Sequence, residues 1–203
     1  MIGKKHQLEI KYNMKEEKFF KHLEVMSPVT TGEADYENHW SVIKSICDIT
    51  QPKNILELGF NRGASALMWL NASDARVHST DYKEEDKVKL SIDEINKHHK
   101  GRFEYTCLNH STFPEVIDDY KDKYDLVFID GDHTYEAIRR DAYNVIQMNP
   151  TYIVFDDCFH VVHGIDSRNV IKEFGLEIVK EYVNHTGQIL TKNTSSHQVI
   201  STL

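Results

Sequence analysis

One stretch constrains the fold of this chain more than any other: residues 54–70, NILELGFNRGASALMWL. It opens with a short apolar run, Ile55-Leu56 and Leu58, the pattern of a buried parallel strand. Glu57 interrupts the run near its end, where a buried carboxylate is costly without a partner. Gly59-Phe60-Asn61-Arg62-Gly63 follows as a turn with two glycines, and Ala64, Leu67, Met68 and Leu70 then recur at helical spacing. Strand, glycine turn and helix make the first unit of a nucleotide-type α/β fold, which binds ligands at the carboxyl ends of its strands.

The glycine spacing bears on the ligand. A dinucleotide fingerprint is G-x-G-x-x-G, which brings backbone N–H groups close to a pyrophosphate. Here the pattern is E-x-G-x-x-x-G, one glycine too few. The Glu57 carboxylate would repel a pyrophosphate and suits a cationic ligand. Motif, spacing and acid together resemble motif I of the class I S-adenosylmethionine-dependent methyltransferases, whose ligand carries a sulfonium and an ammonium and no phosphate. The resemblance implies that Glu57, Gly59, Phe60, Asn61, Gly63 and Ser65 contribute to a cofactor site. The same residues also fit a plain strand–turn–helix with a capped glutamate, and the later motifs weigh against that reading.

Composition narrows the class. The chain has 203 residues, enough for one sizeable domain, with 40% hydrophobic and 28% charged residues, as in a globular protein. A formal net charge of −8 argues against a broad nucleic-acid footprint. The three cysteines, Cys47, Cys107 and Cys158, are widely spaced. They suggest neither a disulfide framework nor a zinc knuckle, and they fit a reducing compartment, so a cytoplasmic location is expected. No apolar run reaches transmembrane length and the first residues lack the apolar core of a secretory signal, so no membrane partner is expected.

Along the chain, Met14 to Val25 has the amphipathic pattern of a helix, Ser27 to Gly32 breaks it, and Tyr36 to Ile49 resumes helical spacing. These lead-in helices are expected to cover the sheet, shape a substrate pocket or make a dimer contact. A second strand is predicted over Arg76 to Asp81, ending on an acid some 20 residues beyond the glycine turn, where such folds bond ribose hydroxyls. Asp81 is therefore the candidate for that contact, with Tyr82 beside it, although an acid there also suits the start of the charged helix that follows. A third strand, Phe103 to Leu108, leads into Asn109-His110-Ser111, which the family resemblance places near the adenine. The fourth, Tyr124 to Ile129, ends in Asp130-Gly131-Asp132-His133, and a helix is predicted over Thr134 to Met148. The fifth, Tyr152 to Phe155, ends in Asp156-Asp157. After it come a polar loop, CFHVVHGIDSRN, a short helix around Asn169 to Phe174, and two weakly alternating runs, Leu176 to Val183 and Gln188 to Thr191, about a turn signal.

Five strand–helix repeats imply a parallel sheet with right-handed crossovers. The expected fold is α/β: a doubly wound, mostly parallel, seven-stranded Rossmann-like sheet with a C-terminal antiparallel hairpin. One domain is expected to span the chain, with a helical lead-in over 1–52, the core over 53–192 and a polar tail over 193–203.

Strands four and five are neighbours in this order and both end in acids, so Asp130, Asp132, Asp156 and Asp157 should come close together. Several carboxylates in one place repel unless they are protonated or bridged by a cation. Oxygen-only ligands suit a hard divalent ion such as magnesium. Strand four ending in D-G-D-H, with Tyr135 two residues on, and strand five ending in an acid pair resemble the metal-dependent O-methyltransferases: the catechol-type enzymes and, more closely, those acting on sugars of antibiotics and related compounds. The resemblance implies Asp130, Asp156 and Asp157 as metal ligands, Asp130 also beside the cofactor, and a base at Asp132 or His133. Catechol-type enzymes usually carry an amide at the position of Asp157 and a lysine near the reacting oxygen; neither feature is evident here. A strand-end turn with Asp132 capping the next helix explains D-G-D-H equally well, but not the second acid pair. His160 and His163 lie just past that pair and are left outside the ligand set.

The leading reading is thus metal-assisted methyl transfer from S-adenosylmethionine to a hydroxyl of a small molecule or sugar. Of the two candidate bases, His133 is favoured, because a histidine takes up a proton near neutrality and an aspartate beside a cation does so poorly. Asp132 would then orient it, hold water or cap the helix. A metal-free N- or C-methyltransferase, a non-catalytic S-adenosylmethionine-binding protein and a nicotinamide oxidoreductase are the alternatives. The acceptor and the oligomeric state, a homo-oligomer included, are not written in the sequence.

Overall fold

A computed structural model describes residues 33–83, 85–160, 164–183 and 187–194. The helix expected at Met14 to Val25, the break at Ser27 to Gly32, the Asn184 to Thr186 turn, His163 and most of the tail lie outside the described residues.

Helix α1, Glu33–Thr50, leads into strand β1, Asn54–Leu58, and helix α2, Ala64–Ala72. Strand β2, Arg76–Asp81, and helix α3, Asp86–His98, follow, then strand β3, Phe103–Cys107. Only a single helical turn, α4 at Phe113–Val116, lies between β3 and strand β4, Leu126–Ile129, flanked by two 3₁₀ turns. Pro114 near the start of α4 and the Asp118-Asp119 pair after it keep this crossover short of a full helix. Helix α5, Tyr135–Gln147, strand β5, Tyr152–Phe155, and helix α6, Gly164–Glu173, complete the repeats. Strands β6, Glu177–Tyr182, and β7, Gln188–Lys192, form the terminal hairpin.

The loop expected over Cys158 to Asn169 is shorter than its polarity suggested. α6 already starts at Gly164, because Ser167, Val170 and Ile171 share a buried face that outweighs the polar residues between them.

The seven strands lie in the order β3-β2-β1-β4-β5-β7-β6. β1 to β5 run parallel, and β7 is antiparallel to both β5 and β6. Strand alternation sends Ile55, Phe128 and Val154 to one face, under Ile43 and Ile46 of α1 and Leu67 and Trp69 of α2. It sends Leu56, Val127 and Ile153 to the other, under Ile138, Ala142 and Val145 of α5 and Val170 and Ile171 of α6. Because strand order reverses between β1 and β4, the crevice for a ligand opens beyond their carboxyl ends.

Candidate active site

The turn after β1 is built around its glycines. Gly59 has φ +108°, and a Cβ there would lie 1.9 Å from the Asp130 carbonyl oxygen, so the turn after β1 and the end of β4 touch only because residue 59 has no side chain. Gly63 caps α2 at φ +77°, and a Cβ there would meet the Phe60 ring at 2.5 Å. Phe60 points inward, 1% exposed, against Phe103 and Tyr105. Only its backbone is available at the crevice. Asn61 is exposed, in the left-handed region at φ +48°.

Asp81 ends β2 and holds this turn. Its Oδ2 accepts the backbone N–H of Asn61 at 2.8 Å and of Phe60 at 3.1 Å. Both bonds use Oδ2, and among the described residues no hydrogen bond to Oδ1 accompanies them. Tyr82 next to it is exposed.

Glu57 is fully buried. Its Oε2 accepts from the Ser79 hydroxyl at 2.6 Å, while Oε1 has no hydrogen-bond partner among the described residues. Burial pushes its pKa up to about 7, the neighbouring Asp81 charge adds to the rise, and the Ser65 and Ser79 hydroxyls oppose it. The Glu57 carboxyl is thus enclosed, with the Ser79 hydroxyl as its partner.

Asn109 and Ser111 are exposed and bonded to each other, with Asn109 Oδ1 accepting from the Ser111 N–H at 3.0 Å and its hydroxyl at 2.9 Å. His110 turns inward instead. Its Nε2 lies 3.1 Å from Thr80 Oγ1, and its Nδ1 lies 3.6 Å from the buried Asp141 carboxylate of α5. That side chain ties the loop after β3 to the end of β2 and to α5.

At the tips of β4 and β5 the structure brings the expected acids together. The pKa of Asp130 stands well above the usual carboxylate range. Burial is the main cause, with the charges of Asp156, Glu57 and Asp157 adding to it. Asp157 adopts φ +53°, uncommon for a residue with a side chain, and its Oδ2 lies 3.5 Å from His133 Nε2. Asp132 points elsewhere: it is exposed and its Oδ1 accepts the Thr134 N–H at 2.9 Å, just ahead of α5. That bond draws the Asp132 pKa below its ordinary value.

Two members of this cluster carry no sequence signal. His39 of α1 brings Nε2 to 4.0 Å from Asp156 Oδ1, although it stands in an ordinary amphipathic stretch. Gln188, the first residue of β7, donates from Nε2 to the same oxygen at 2.5 Å. His160 follows the acid pair, and its backbone N–H bonds the Asp157 carbonyl.

Among the described residues, no three His, Cys, Asp or Glu side chains are drawn to metal-ligating distances. The donor chemistry nonetheless suits a hard cation. Asp130, Asp156 and Asp157 bring carboxylate oxygens to the ends of two paired strands, where their charges help hold the Asp130 pKa up, and a divalent ion relieves that repulsion. No helix among the described residues is long and apolar enough to cross a membrane.

Comparison with known proteins agrees with this geometry. Solved structures with the same fold include the O-methyltransferase TomG from Streptomyces achromogenes, involved in tomaymycin synthesis and in complex with SAM. It is 15% identical, with a TM-score of 0.62 over 91% of this chain and 92% of that one. An O-methyltransferase from Bacillus cereus in complex with SAH is 15% identical, with a TM-score of 0.62 over 91% and 93% of the two chains. The SAH-bound methyltransferase PaMTH1 from Podospora anserina is 14% identical, with a TM-score of 0.62 over 89% and 88%. No curated protein matches. The profile of a family described as "Methyltransferase domain" matches residues 56–158, just over half of the chain and the span from β1 to the acid pair. The chain therefore belongs to this methyltransferase-domain family.

Proposed function

We propose that this protein transfers a methyl group from S-adenosylmethionine to a hydroxyl of a small molecule or sugar, with a divalent cation held by Asp130, Asp156 and Asp157. The observation that carries the proposal is the meeting, at one crevice, of the Asp81-braced glycine turn after β1 with the carboxylate cluster and His133 after β4 and β5. Membership of the family and the O-methyltransferases among its structural neighbours support it.

S-adenosylmethionine, when bound, supplies an electrophilic methyl group, and a cation of this kind, when bound, makes a hydroxyl more acidic. The chain's own residues do the rest. Asp81 keeps the turn in shape and offers Oδ1 to the ribose hydroxyls. Gly59 lets the end of β4 close against the turn, and the backbone of Phe60 and Asn61, held by Asp81, faces the cofactor. His133 takes up the acceptor's proton at Nε2, where the Asp157 carboxylate stabilises the resulting positive charge. Asp132 holds the start of α5 and takes no part in the proton transfer.

A metal-free methyltransferase is the second reading, favoured by the unconverged ligand set among the described residues. Turnover of S-adenosylmethionine against a panel of hydroxyl acceptors, before and after exhaustive chelation, decides between them. Loss of turnover on chelation and its return with magnesium support the first; unchanged turnover supports the second.

A further inference from the structure

The structure assigns to Gln188 a role in holding the carboxylate cluster in shape: we infer that it is the positioning residue of Asp156. This inference rests on the cation reading given above. Antiparallel pairing of β5 with β7 sets Phe155 opposite Ile189, so Gln188 comes level with Asp156. The hairpin thus returns a side chain to the site from 32 residues further along the chain.

Three features separate this contact from ordinary packing. The amide is 3% exposed, so its bond to Asp156 Oδ1 is shielded from water. Its own Oε1 is buried without a hydrogen-bond partner among the described residues, a costly arrangement that a side chain chosen for stability alone would avoid. The donor is also neutral. A lysine or arginine reaching the same oxygen would bring a positive charge and compete with a cation. An amide fixes the carboxylate and leaves its charge for the ligand. Carboxylates that bind metals are themselves held by such outer partners.

The test is titration of the full-length protein with Mn²⁺ alone, followed by calorimetry, for the wild type, Gln188→Met and Gln188→Asn. Methionine keeps the volume and removes the donor; asparagine keeps the amide and cannot reach. Either variant carries the test if the other does not fold. The expected result is one Mn²⁺ site in the wild type, weakened about 10–100-fold in the variants, with S-adenosylhomocysteine affinity unchanged. Equal Mn²⁺ affinity in wild type and variants overturns the inference and leaves the cation reading standing. Parallel loss of Mn²⁺ and S-adenosylhomocysteine binding makes Gln188 merely structural and also overturns it. No Mn²⁺ binding by the wild type overturns both.

Discussion

Asp81 Oδ2 lies 2.8 Å from the backbone nitrogen of Asn61, and through this bond the acid that ends β2 shapes the turn that follows β1. Replacing it with alanine strips the acceptor from two backbone N–H groups and, on the proposed reading, from the ribose. Asp81→Ala is expected to weaken S-adenosylhomocysteine binding by about 1–3 kcal/mol and to lower the melting temperature. Calorimetry and thermal unfolding of the same preparation check both effects. Unchanged affinity removes Asp81 from the site.

Glu57 makes stability depend on pH in a definite direction. Its pKa in the folded protein, about 7, lies above the ordinary glutamate value of 4.5. Between those values the folded state keeps a proton that the unfolded chain has released, so stability falls as pH rises. Glu57→Gln has no such titration. The stability gap between the two proteins without cofactor should shift in favour of Glu57→Gln by about 3 kcal/mol between pH 4 and pH 8. Urea unfolding across that range measures it, and a flat difference contradicts the assignment.

Gly59→Ala should be severely destabilising, by about 4 kcal/mol or more. The added Cβ would collide with the Asp130 backbone, and φ +108° is strained for any side chain. Gly101→Ala is the control: φ is +78°, but nothing lies within 4 Å of the added atom, so its cost should stay near 1 kcal/mol. Comparable melting temperatures for the two variants would show that β1 and β4 do not meet as described.

His133→Ala should lower kcat by about 10²–10⁴-fold with cofactor affinity unchanged. Asp132→Asn should keep near-normal turnover and cost only a little stability, because an amide oxygen can still accept the Thr134 N–H. Steady-state kinetics on the pair reads this directly. The reverse pattern makes Asp132 the base.

The central strands and the glycine turn were legible in the sequence because continuous apolar runs and paired glycines leave few other structures. The acids at Asp130, Asp156 and Asp157 were legible for a related reason: strand order alone places the ends of β4 and β5 side by side. Side-chain direction was not legible. The sequence did not show that the Phe60 ring packs in the core, that the Glu57 carboxyl is fully buried against Ser79, or that the His110 ring lies between Thr80 and Asp141. Local spacing carries no information on those rotations. His39 and Gln188 were invisible for a different reason. Each reaches Asp156 only through tertiary pairing, and neither belongs to a motif.

The most direct measurement is titration of the purified protein with S-adenosylhomocysteine by calorimetry, with NAD as the competing candidate. An Asp81-braced turn with one glycine too few for a pyrophosphate should bind one S-adenosylhomocysteine per chain and show no heat with NAD. Tight NAD binding, or no binding of S-adenosylhomocysteine, would contradict the assignment of this crevice.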